Sequence, residues 1–287
     1  FVLGSARCGT TLISYTLNQN PEYNVSFPSE TMYFLKNFKE ISLNEYEQFN
    51  YKKKKGIKVD CSPQHSLDIN KTIDNIKKIY NIDNCRFIYI IRNPIERSIS
   101  HAYKAYNRGE PFAQDHNNNS KNFEALFEVN KNNVIAEYSL YHKRVVDIIN
   151  KIDNDKILFL HYDQLTEDFD NYFNLIDDFC RVKKFKYRKR VVNSGSAKSK
   201  FSFIDSIITK KNTLKSIIKL LFPSVFLRKV KDYYVLNFFV EQNRSQNKYK
   251  SEIKMLSNNF KKIMYKDYFL TKKALKGFNI EKYFYEK

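Results

Sequence analysis

The chain contains no tryptophan, and glycine and proline are scarce, with six residues of each among 287. Arginine is also infrequent, at 11 residues against 39 lysines, while Asn, Ile, Tyr and Phe are abundant. This pattern is typical of an A/T-rich genome, so composition and a solvated lysine surface explain much of the formal net charge of +19. Arginine nevertheless occurs three times in two short motifs, as Arg7, Arg92 and Arg97. Because a planar guanidinium is preferred for holding phosphate or sulfate, these motifs predict an anionic ligand.

No apolar run approaches the ~18–20 residues that a membrane-spanning helix needs, so we expect no membrane span. The four cysteines lack the paired spacing of a zinc site, and we expect reduced thiols in a cytoplasmic protein. The chain begins at Phe1, within an apolar triplet and without a Met, so we expect that further residues precede it. The sequence therefore does not decide whether a signal peptide or membrane anchor precedes Phe1. Apolar content of 42% and aromatic content of 16% predict a globular chain with a real core.

The first loop of the chain predicts an anion-binding site. An apolar triplet leads into Gly4-x-x-x-x-Gly9, and a helix-period apolar pattern follows. Such a loop directs several backbone N–H groups to one spot at a helix N-terminus, where a phosphate-sized anion fits. The spacing matches a P-loop, but Thr10 and Thr11 stand where a nucleotide triphosphatase has Lys and then Ser or Thr. The missing Lys favours a ligand with a shorter, less charged 5′ group, and Arg7 supplies a cation instead; a purely structural turn is the alternative.

Short apolar strands alternate with amphipathic helices, which predicts an α/β fold with a P-loop-like parallel β-sheet flanked by helices. After the first strand, further strands are predicted at 23–27, 56–60, 85–91 and 156–160. Helices are predicted at 68–80, 95–107, 123–130, 134–150 and 168–179. Ligands bind beyond the carboxyl ends of parallel strands. The candidate residues at these ends are Gly4, Glu30, Asp60 and Arg92.

The composition changes near residue 183. Residues 183–190 contain six basic residues, and a Gly/Ser loop follows at 193–200. This stretch predicts either a solvated linker or a flap that closes on an anionic ligand. The remaining residues carry helical patterns, clearest at 252–264. We therefore predict a core domain at residues 1–200 and a mainly helical C-terminal extension at 201–287 that packs on the core.

Four segments resemble those of sulfotransferases that use 3′-phosphoadenosine 5′-phosphosulfate (PAPS). Gly-Ser-Ala-Arg-Cys-Gly-Thr-Thr-Leu-Ile at 4–13 is similar to their 5′-phosphosulfate loop. Arg-Asn-Pro-Ile-Glu-Arg-Ser-Ile-Ser-His-Ala-Tyr at 92–103 resembles their second signature. Phe-Pro-Ser-Glu-Thr-Met-Tyr-Phe at 27–34 and Val-Asp-Cys-Ser-Pro at 59–63 resemble segments of heparan-sulfate-type members. The later part of the chain resembles bacterial members more loosely.

The resemblance implies a role for each matching residue. Glu30 would be the catalytic base, and Arg92 and Ser100 would hold the 3′-phosphate. Arg7 would stabilise the transferring sulfonate and the leaving phosphate oxygen. The same role falls to the backbone N–H groups of the residues that follow Arg7 in the loop, which are Cys8, Gly9, Thr10 and Thr11. From the residues alone, a carboxylate after a strand suits a general base, but Glu30 as the cap of the next helix is an equal alternative.

This chain departs from the family pattern at two places. Many members have Lys and Ser where Arg7 and Cys8 stand, so the cation is kept while a hydroxyl contact is lost. Cys61 replaces a Lys common before Ser-Pro. We expect the missing contact to come from one of three other lysines, which are Lys58, Lys198 and Lys200.

The expected activity is in-line transfer of a sulfonate from PAPS to an acceptor hydroxyl, which leaves adenosine 3′,5′-bisphosphate. Because a sulfonate carries less charge than a phosphoryl group, no metal is expected. The resemblance and the basic composition favour a carbohydrate acceptor, while tyrosyl, lipid and small-metabolite acceptors stay open. His101 is a candidate acid or base, but a packing role is the simpler interpretation for a histidine on a helix face.

Two other function classes compete with this prediction. A P-loop nucleotide or small-molecule kinase would share the loop spacing, but Thr10 replaces the P-loop Lys. Arg92 also stands where such an enzyme has an acidic magnesium partner. A non-catalytic, basic nucleic-acid-binding protein would suit the net charge and the many aromatics. The chain has no aromatic-rich RNA-binding signature, so we expect no nucleic-acid partner.

Overall fold

The computed structural model describes residues 1–35, 38–39, 41–52, 55–108, 127, 133–189 and 250–285. Its strands are β1 Tyr23–Val25, β2 Ile57–Val59, β3 Phe87–Ile91 and β4 Ile157–His161. The helices of the first half are α1 Thr10–Leu17, α2 Leu43–Asn50, α3 Ile69–Ile79 and α4 Pro94–Arg108. Those of the second half are α5 Val134–Glu137, α6 His142–Lys151, α7 Tyr162–Glu167, α8 Phe169–Cys180, α9 Lys250–Met255 and α10 Asn258–Ala274.

The strands form parallel pairs that the first three residues join. β1 pairs with β2, and β3 pairs with β4. Val2 N donates to the Asp60 carbonyl at 2.8 Å, and Leu3 N donates to the Ile88 carbonyl at 2.8 Å. The first strand therefore lies between β2 and β3, and the order is β1, β2, residues 1–3, β3, β4. This arrangement confirms the predicted α/β fold with a P-loop-like parallel sheet.

The strand order creates a crevice at the end of the first strand. The chain leaves residues 1–3 toward β1, returns through β2, and then crosses to β3 and β4 on the other side. In open parallel sheets, ligands bind at such a reversal of strand order, beyond the carboxyl ends. Gly4 begins the predicted anion-binding loop at this point.

Both faces of the sheet are covered. β3 is buried along its whole length, and its side chains alternate between two cores. Phe87, Tyr89 and Ile91 belong to the core that includes residues of α3, α6 and α10. Ile88 and Ile90 belong to the core that includes residues of α1 and α8. The near-continuous apolar run predicted for a central strand is therefore explained by helices on both faces.

Two predicted helices are interrupted. The pattern at 134–150 predicts one helix, but the chain turns between α5 and α6. The Asp267 carboxylate, which lies 125 residues further along the chain, accepts from Tyr141 N at 2.6 Å and from His142 N at 3.1 Å. The prediction of one helix was wrong because a distant carboxylate caps the backbone there.

The predicted helix at 252–264 is also two helices in the structure. α9 ends at Met255, and α10 then runs beyond the predicted end to Ala274. The Ser257 hydroxyl caps α10 by accepting from Phe260 N at 3.1 Å. Ser257 lies inside the apolar periodicity, so the pattern alone hides this start.

The predicted domain boundary at residue 200 lies outside the described residues and stays a prediction. The same holds for the helix predicted at 123–130, of which only Phe127 is described. In the described part of the C-terminal region, α10 contacts α4 and α6 of the core. No helix in the described ranges is long and apolar enough to cross a membrane.

Candidate active site

The first loop has the conformation that an anion site requires. A Cβ on Gly4 would lie 2.8 Å from Ile90 Cβ, so only glycine allows this close approach to β3. Arg7 and Gly9 have φ of 73° and 88°, in the left-handed region. Gly9 precedes α1, and no side chain caps the first turn of that helix. The N–H groups of this turn and the helix dipole are therefore directed at the crevice.

Three of the predicted ligand residues lie together beside this loop. Arg7 Nε donates to Ser100 Oγ at 3.1 Å, which joins the loop to α4. Arg92 Nη1 donates to the Arg7 carbonyl at 3.1 Å, which joins the end of β3 to the loop. Arg92 lies 85 positions and Ser100 lies 93 positions from Arg7 in the sequence. The fold thus places two guanidinium groups and a hydroxyl at one helix N-terminus.

Tyr162 and Glu96 also belong to this cluster, and sequence reasoning missed both. The Arg92 guanidinium carbon lies 4.4 Å from the centre of the Tyr162 ring. A Cβ on Gly9 would lie 3.2 Å from the same ring, so Tyr162 contacts the loop as well. Glu96 pairs with Arg92 at 3.5 Å. Tyr162 directly follows β4, so its position at a strand end was the available signal.

Arg97 supports the loop from behind. It is fully buried, and Nη1 donates to the Ala6 carbonyl at 3.1 Å. Nε donates to Ser139 Oγ at 2.6 Å, and Nη2 donates to the Ile135 carbonyl. Nη1 also lies 3.2 Å from His101 Nδ1, which accepts as the neutral ring with its proton on Nε2. Burial lowers the pKa of the Arg97 guanidinium, yet arginine keeps its charge in proteins.

Glu30 lies in a loop that a buried aspartate holds in place. Asp60 is 1% exposed and accepts from Thr31 Oγ1 at 2.6 Å and from Ser62 Oγ at 2.5 Å. Gln64 Nε2 donates to Glu30 Oε2 at 3.4 Å. Asp60 therefore positions the loop and does not face the crevice, which corrects its inclusion among the strand-end ligand candidates.

Two further observations bear on Glu30. Ser42 and Glu45 form the capping box of α2, so Glu30 is not the cap of the next helix. Burial is the main cause that raises the pKa of Tyr138, and the negative charge of Glu30 adds to it. The Tyr138 ring lies over Arg97, with its centre 5.9 Å from the guanidinium carbon. Glu30 is thus within electrostatic range of Tyr138, which lies beside Arg97.

The cysteines at the site are structural. Burial raises the pKa of the Cys8 thiol to about 11, so the thiol stays neutral, and Sγ lies 4.0 Å from Tyr141 Oη. Burial likewise raises the pKa of Cys61, which is 1% exposed. All four cysteines are free thiols. The Cys8 backbone N–H donates to the Ser5 carbonyl at 3.2 Å, and the predicted contact of Cys8 with a cofactor stays a prediction.

The three lysines proposed to replace the family lysine have different outcomes. Lys58 Nζ pairs with Glu47 at 2.5 Å on α2, so we no longer count it as a ligand candidate. Lys198 and Lys200 lie outside the described residues, and their roles stay predictions. Among the residues that the structure describes, no group of three or more His, Cys, Asp or Glu side chains could hold a metal ion.

The basic stretch that begins at Lys183 is anchored at the far end of α1 from the loop. Arg188 N donates to Gln19 Oε1 at 2.9 Å, and Gln19 Nε2 donates to the Arg188 carbonyl at 3.0 Å. Tyr187 Oη donates to the buried Asp177 carboxylate at 2.7 Å. Up to residue 189 the stretch is therefore neither a free linker nor a flap, and the predicted Gly/Ser loop lies outside the described residues.

Comparisons with known proteins identify the family. The sulfotransferase domain family matches residues 1–216, which is most of the chain. No curated protein matches the chain in sequence.

Solved structures similar to the chain include a sulfotransferase from Alicyclobacillus acidocaldarius. It is 13% identical, with 80% of this chain and 93% of that chain covered and a TM-score of 0.47. Mouse sulfotransferase SULT7A1 complexed with PAP is 15% identical, with coverage of 98% and 86% and a TM-score of 0.48. The sulfotransferase domain of the Synechococcus PCC 7002 olefin synthase is 16% identical, with coverage of 65% and 73% and a TM-score of 0.42.

The family match, and not these distant structures, carries the assignment. It removes the kinase and nucleic-acid-binding alternatives, in agreement with Thr10 in the loop and Arg92 at the end of β3. The chain therefore belongs to the sulfotransferase family and is an enzyme that uses PAPS as its sulfonate donor.

Proposed function

We propose that the protein transfers a sulfonate group from PAPS to a hydroxyl of a carbohydrate, with Glu30 as the general base. The observation that carries this proposal is the meeting of Arg7, Arg92 and Ser100 at the N-terminus of α1. A ligand with phosphate groups at both the 3′ and 5′ positions needs two clusters of donors, and the loop and this group provide them.

Each residue at the donor site has a proposed task. Arg92 and Ser100 bind the 3′-phosphate. The Arg92 guanidinium lies over the Tyr162 ring, and this contact holds its orientation. PAPS supplies the sulfonate and leaves as adenosine 3′,5′-bisphosphate. Arg7 stabilises the negative charge that grows at the transferring end. The backbone N–H groups of the loop share this task, and they belong to Cys8, Gly9, Thr10 and Thr11.

The contact between Arg7 and Ser100 refines this proposal. It places the Arg7 side chain on the α4 side of the loop, next to the proposed 3′-phosphate site. Arg7 thus lies between the two ends of the donor. We expect its removal to weaken donor binding as well as turnover, whereas a purely catalytic residue would change turnover alone.

The acceptor side of the site is proposed from Glu30 and its neighbours. Gln64 donates to the Glu30 carboxylate and orients it, and the carboxylate then accepts the proton of the acceptor hydroxyl. The rings of His101 and Tyr138 lie with their centres 5.8 Å apart, beside Arg97. Tyr138 is 4% exposed, so these two rings pack against each other and leave the acceptor to Glu30 and Gln64. The resemblance of residues 27–34 to heparan-sulfate-type members supports a carbohydrate.

The experiment is an acceptor screen with PAPS and the whole chain. Desulfated heparin-type and chondroitin-type oligosaccharides are compared with a phenol and a long-chain alcohol, and sulfated products are identified by mass. We expect sulfation of an oligosaccharide that is lost in Glu30→Gln. Sulfation of the phenol or alcohol alone would overturn the carbohydrate assignment, while full activity of Glu30→Gln would overturn the role of Glu30.

A further inference from the structure

Arg97 carries a buried positive charge that no carboxylate of the described part of the chain pairs with. The side chain is fully buried, and its hydrogen-bond partners are all neutral groups. These partners are Ser139 Oγ, the Ala6 and Ile135 carbonyls, and His101 Nδ1. Within the described ranges, no carboxylate oxygen lies within 4.0 Å of its nitrogens. Hydrogen bonds to neutral groups satisfy the donors but leave the charge uncompensated, which is costly in a protein interior.

The other buried arginines of the described residues differ from Arg97. Arg92 pairs with Glu96, and Arg144 pairs with Glu137, each at 3.5 Å. Arg144 also donates to two backbone carbonyls, as Arg97 does. Arg97 and Arg144 are thus both buried and both donate to backbone oxygens. They differ in that Arg144 has a carboxylate partner among the described residues.

The position of Arg97 shows where a counter-ion would lie. Nη1 donates to the Ala6 carbonyl, inside the loop between Gly4 and Gly9. The Ala6–Arg7 peptide bond is trans, so the Arg7 N–H points in the direction opposite to the Ala6 carbonyl. The Arg7 N–H therefore points away from Arg97. Burial raises the pKa of Cys8 and the charge of Arg97 opposes this, so the charge acts on the thiol of a loop residue.

We propose that the anionic groups of the bound donor are the counter-ion of Arg97, which acts as a fixed positive charge behind the loop without touching the ligand. This inference rests on the proposed function, in which the loop binds PAPS or adenosine 3′,5′-bisphosphate. Arg97 is then a positioning residue: it holds the Ala6 carbonyl on its own side, and its charge raises the affinity for the donor. In the free protein the same charge is a cost to stability.

The first test neutralises the charge without removing Arg97. Ser139→Asp places a carboxylate beside Arg97 Nε, and Ser139→Asn is the control of equal size without charge. Calorimetry with adenosine 3′,5′-bisphosphate should give a Kd about tenfold higher for Ser139→Asp than for Ser139→Asn. Without ligand, Ser139→Asp should melt at the higher temperature. Equal Kd values would overturn the proposal, as would unfolding of Ser139→Asp alone, because the carboxylate is expected to stabilise the free protein.

The second test separates charge from geometry at Arg97 itself. Arg97→Lys and Arg97→Gln both lose the planar fork, and only the lysine keeps the charge. We expect Arg97→Lys to bind the bisphosphate about tenfold more tightly than Arg97→Gln. Arg144→Lys and Arg144→Gln form the matched control pair, and they should not differ in Kd. Equal binding by the two Arg97 variants would show a purely structural role.

The outcomes also distinguish this inference from the proposed function. If the wild-type protein does not bind the bisphosphate, the proposed donor site itself fails. If the wild type binds and neither variant pair separates, only the role of the Arg97 charge fails.

Discussion

At the scale of single residues, Glu30 and Arg92 lie at the ends of different strands and have different kinds of partner. Glu30 is contacted by the neutral amide of Gln64, whereas Arg92 contacts the loop backbone, Glu96 and Tyr162. A base acts on the acceptor proton, while the Arg92 cluster binds charge that is present before and after transfer. Substitutions at the two positions should therefore separate turnover from binding.

Glu30→Gln removes the proposed base while it keeps the size of the side chain and its contact with Gln64. We expect turnover to fall by ~10²–10⁴-fold, with the Kd for adenosine 3′,5′-bisphosphate largely unchanged. Initial rates of sulfation and calorimetry measure the two effects. Glu47→Gln, on α2, is the control and should leave turnover unaffected. Wild-type turnover in Glu30→Gln would contradict the assignment.

Sequence reasoning proposed candidate residues for the site but could not predict the contacts between them. Three motifs, which follow the first strand, β1 and β3, contain the candidates Arg7, Glu30, Arg92 and Ser100. The carboxyl ends of parallel strands lie at one edge of the sheet, so these residues were expected to be close together. The contact of Arg7 with Ser100 depends on side-chain directions that no motif contains. Tyr162 was missed because an aromatic residue after a strand is common, and only its distance to Arg92 gives it meaning.

At the scale of elements, the turn from the first strand into α1 controls the site. Gly9 has φ of 88°, and a Cβ there would press on the Tyr162 ring at 3.2 Å. The first turn of α1 and the cluster around Arg92 are therefore coupled through one glycine. Loss of this glycine should disturb both.

Gly9→Ala is expected to destabilise the fold by about 1–2 kcal/mol, because alanine is strained at this φ. It should also weaken bisphosphate binding, since the Cβ displaces Tyr162. Gly277→Ala is the matched control: its φ is 95°, and nothing lies within 4 Å of the added Cβ. Denaturant unfolding should show a similar loss for both variants, and calorimetry a loss of affinity for Gly9→Ala alone. Equal affinities would show that Gly9 does not couple the loop to Tyr162.

Helix ends were harder to predict than helices. The periodicity of α3 and α8 gave nearly correct bounds, because each has an aspartate, Asp68 or Asp168, that caps its start. The break between α5 and α6 could not be predicted, since Asp267 supplies the cap from a distant part of the chain. The strand order was equally inaccessible, because it depends on pairing between distant segments.

At the scale of the whole molecule, the C-terminal region is connected to the site through hydrogen bonds. Asp267 accepts from the backbone of Tyr141, whose hydroxyl donates to the Arg92 carbonyl at 2.9 Å. His161 Nε2 lies 2.7 Å from Tyr268 Oη, and Tyr285 Oη donates to the Asp163 carboxylate. The ends of β3 and β4 are therefore both held by residues of α10 or beyond.

Asp267→Ala should lower the free energy of unfolding by about 2 kcal/mol, because it leaves buried backbone donors of the α5–α6 turn unsatisfied. It should also raise the Kd for the bisphosphate severalfold, since Tyr141 then holds Arg92 less firmly. Urea unfolding and calorimetry measure these effects. Asp170→Ala, an exposed position on α8, is the control and should change neither quantity. A stability loss without any change in Kd would limit the C-terminal region to a structural role.

The most direct test of the proposed donor site is calorimetric titration with adenosine 3′,5′-bisphosphate, in parallel with ATP plus magnesium, on the wild type and Arg92→Ala. We expect the wild type to bind the bisphosphate in preference to ATP and Arg92→Ala to lose most of this affinity. Equal binding of the bisphosphate by wild type and Arg92→Ala, or a preference for ATP with magnesium, would contradict the donor site formed by the loop, Arg92 and Ser100.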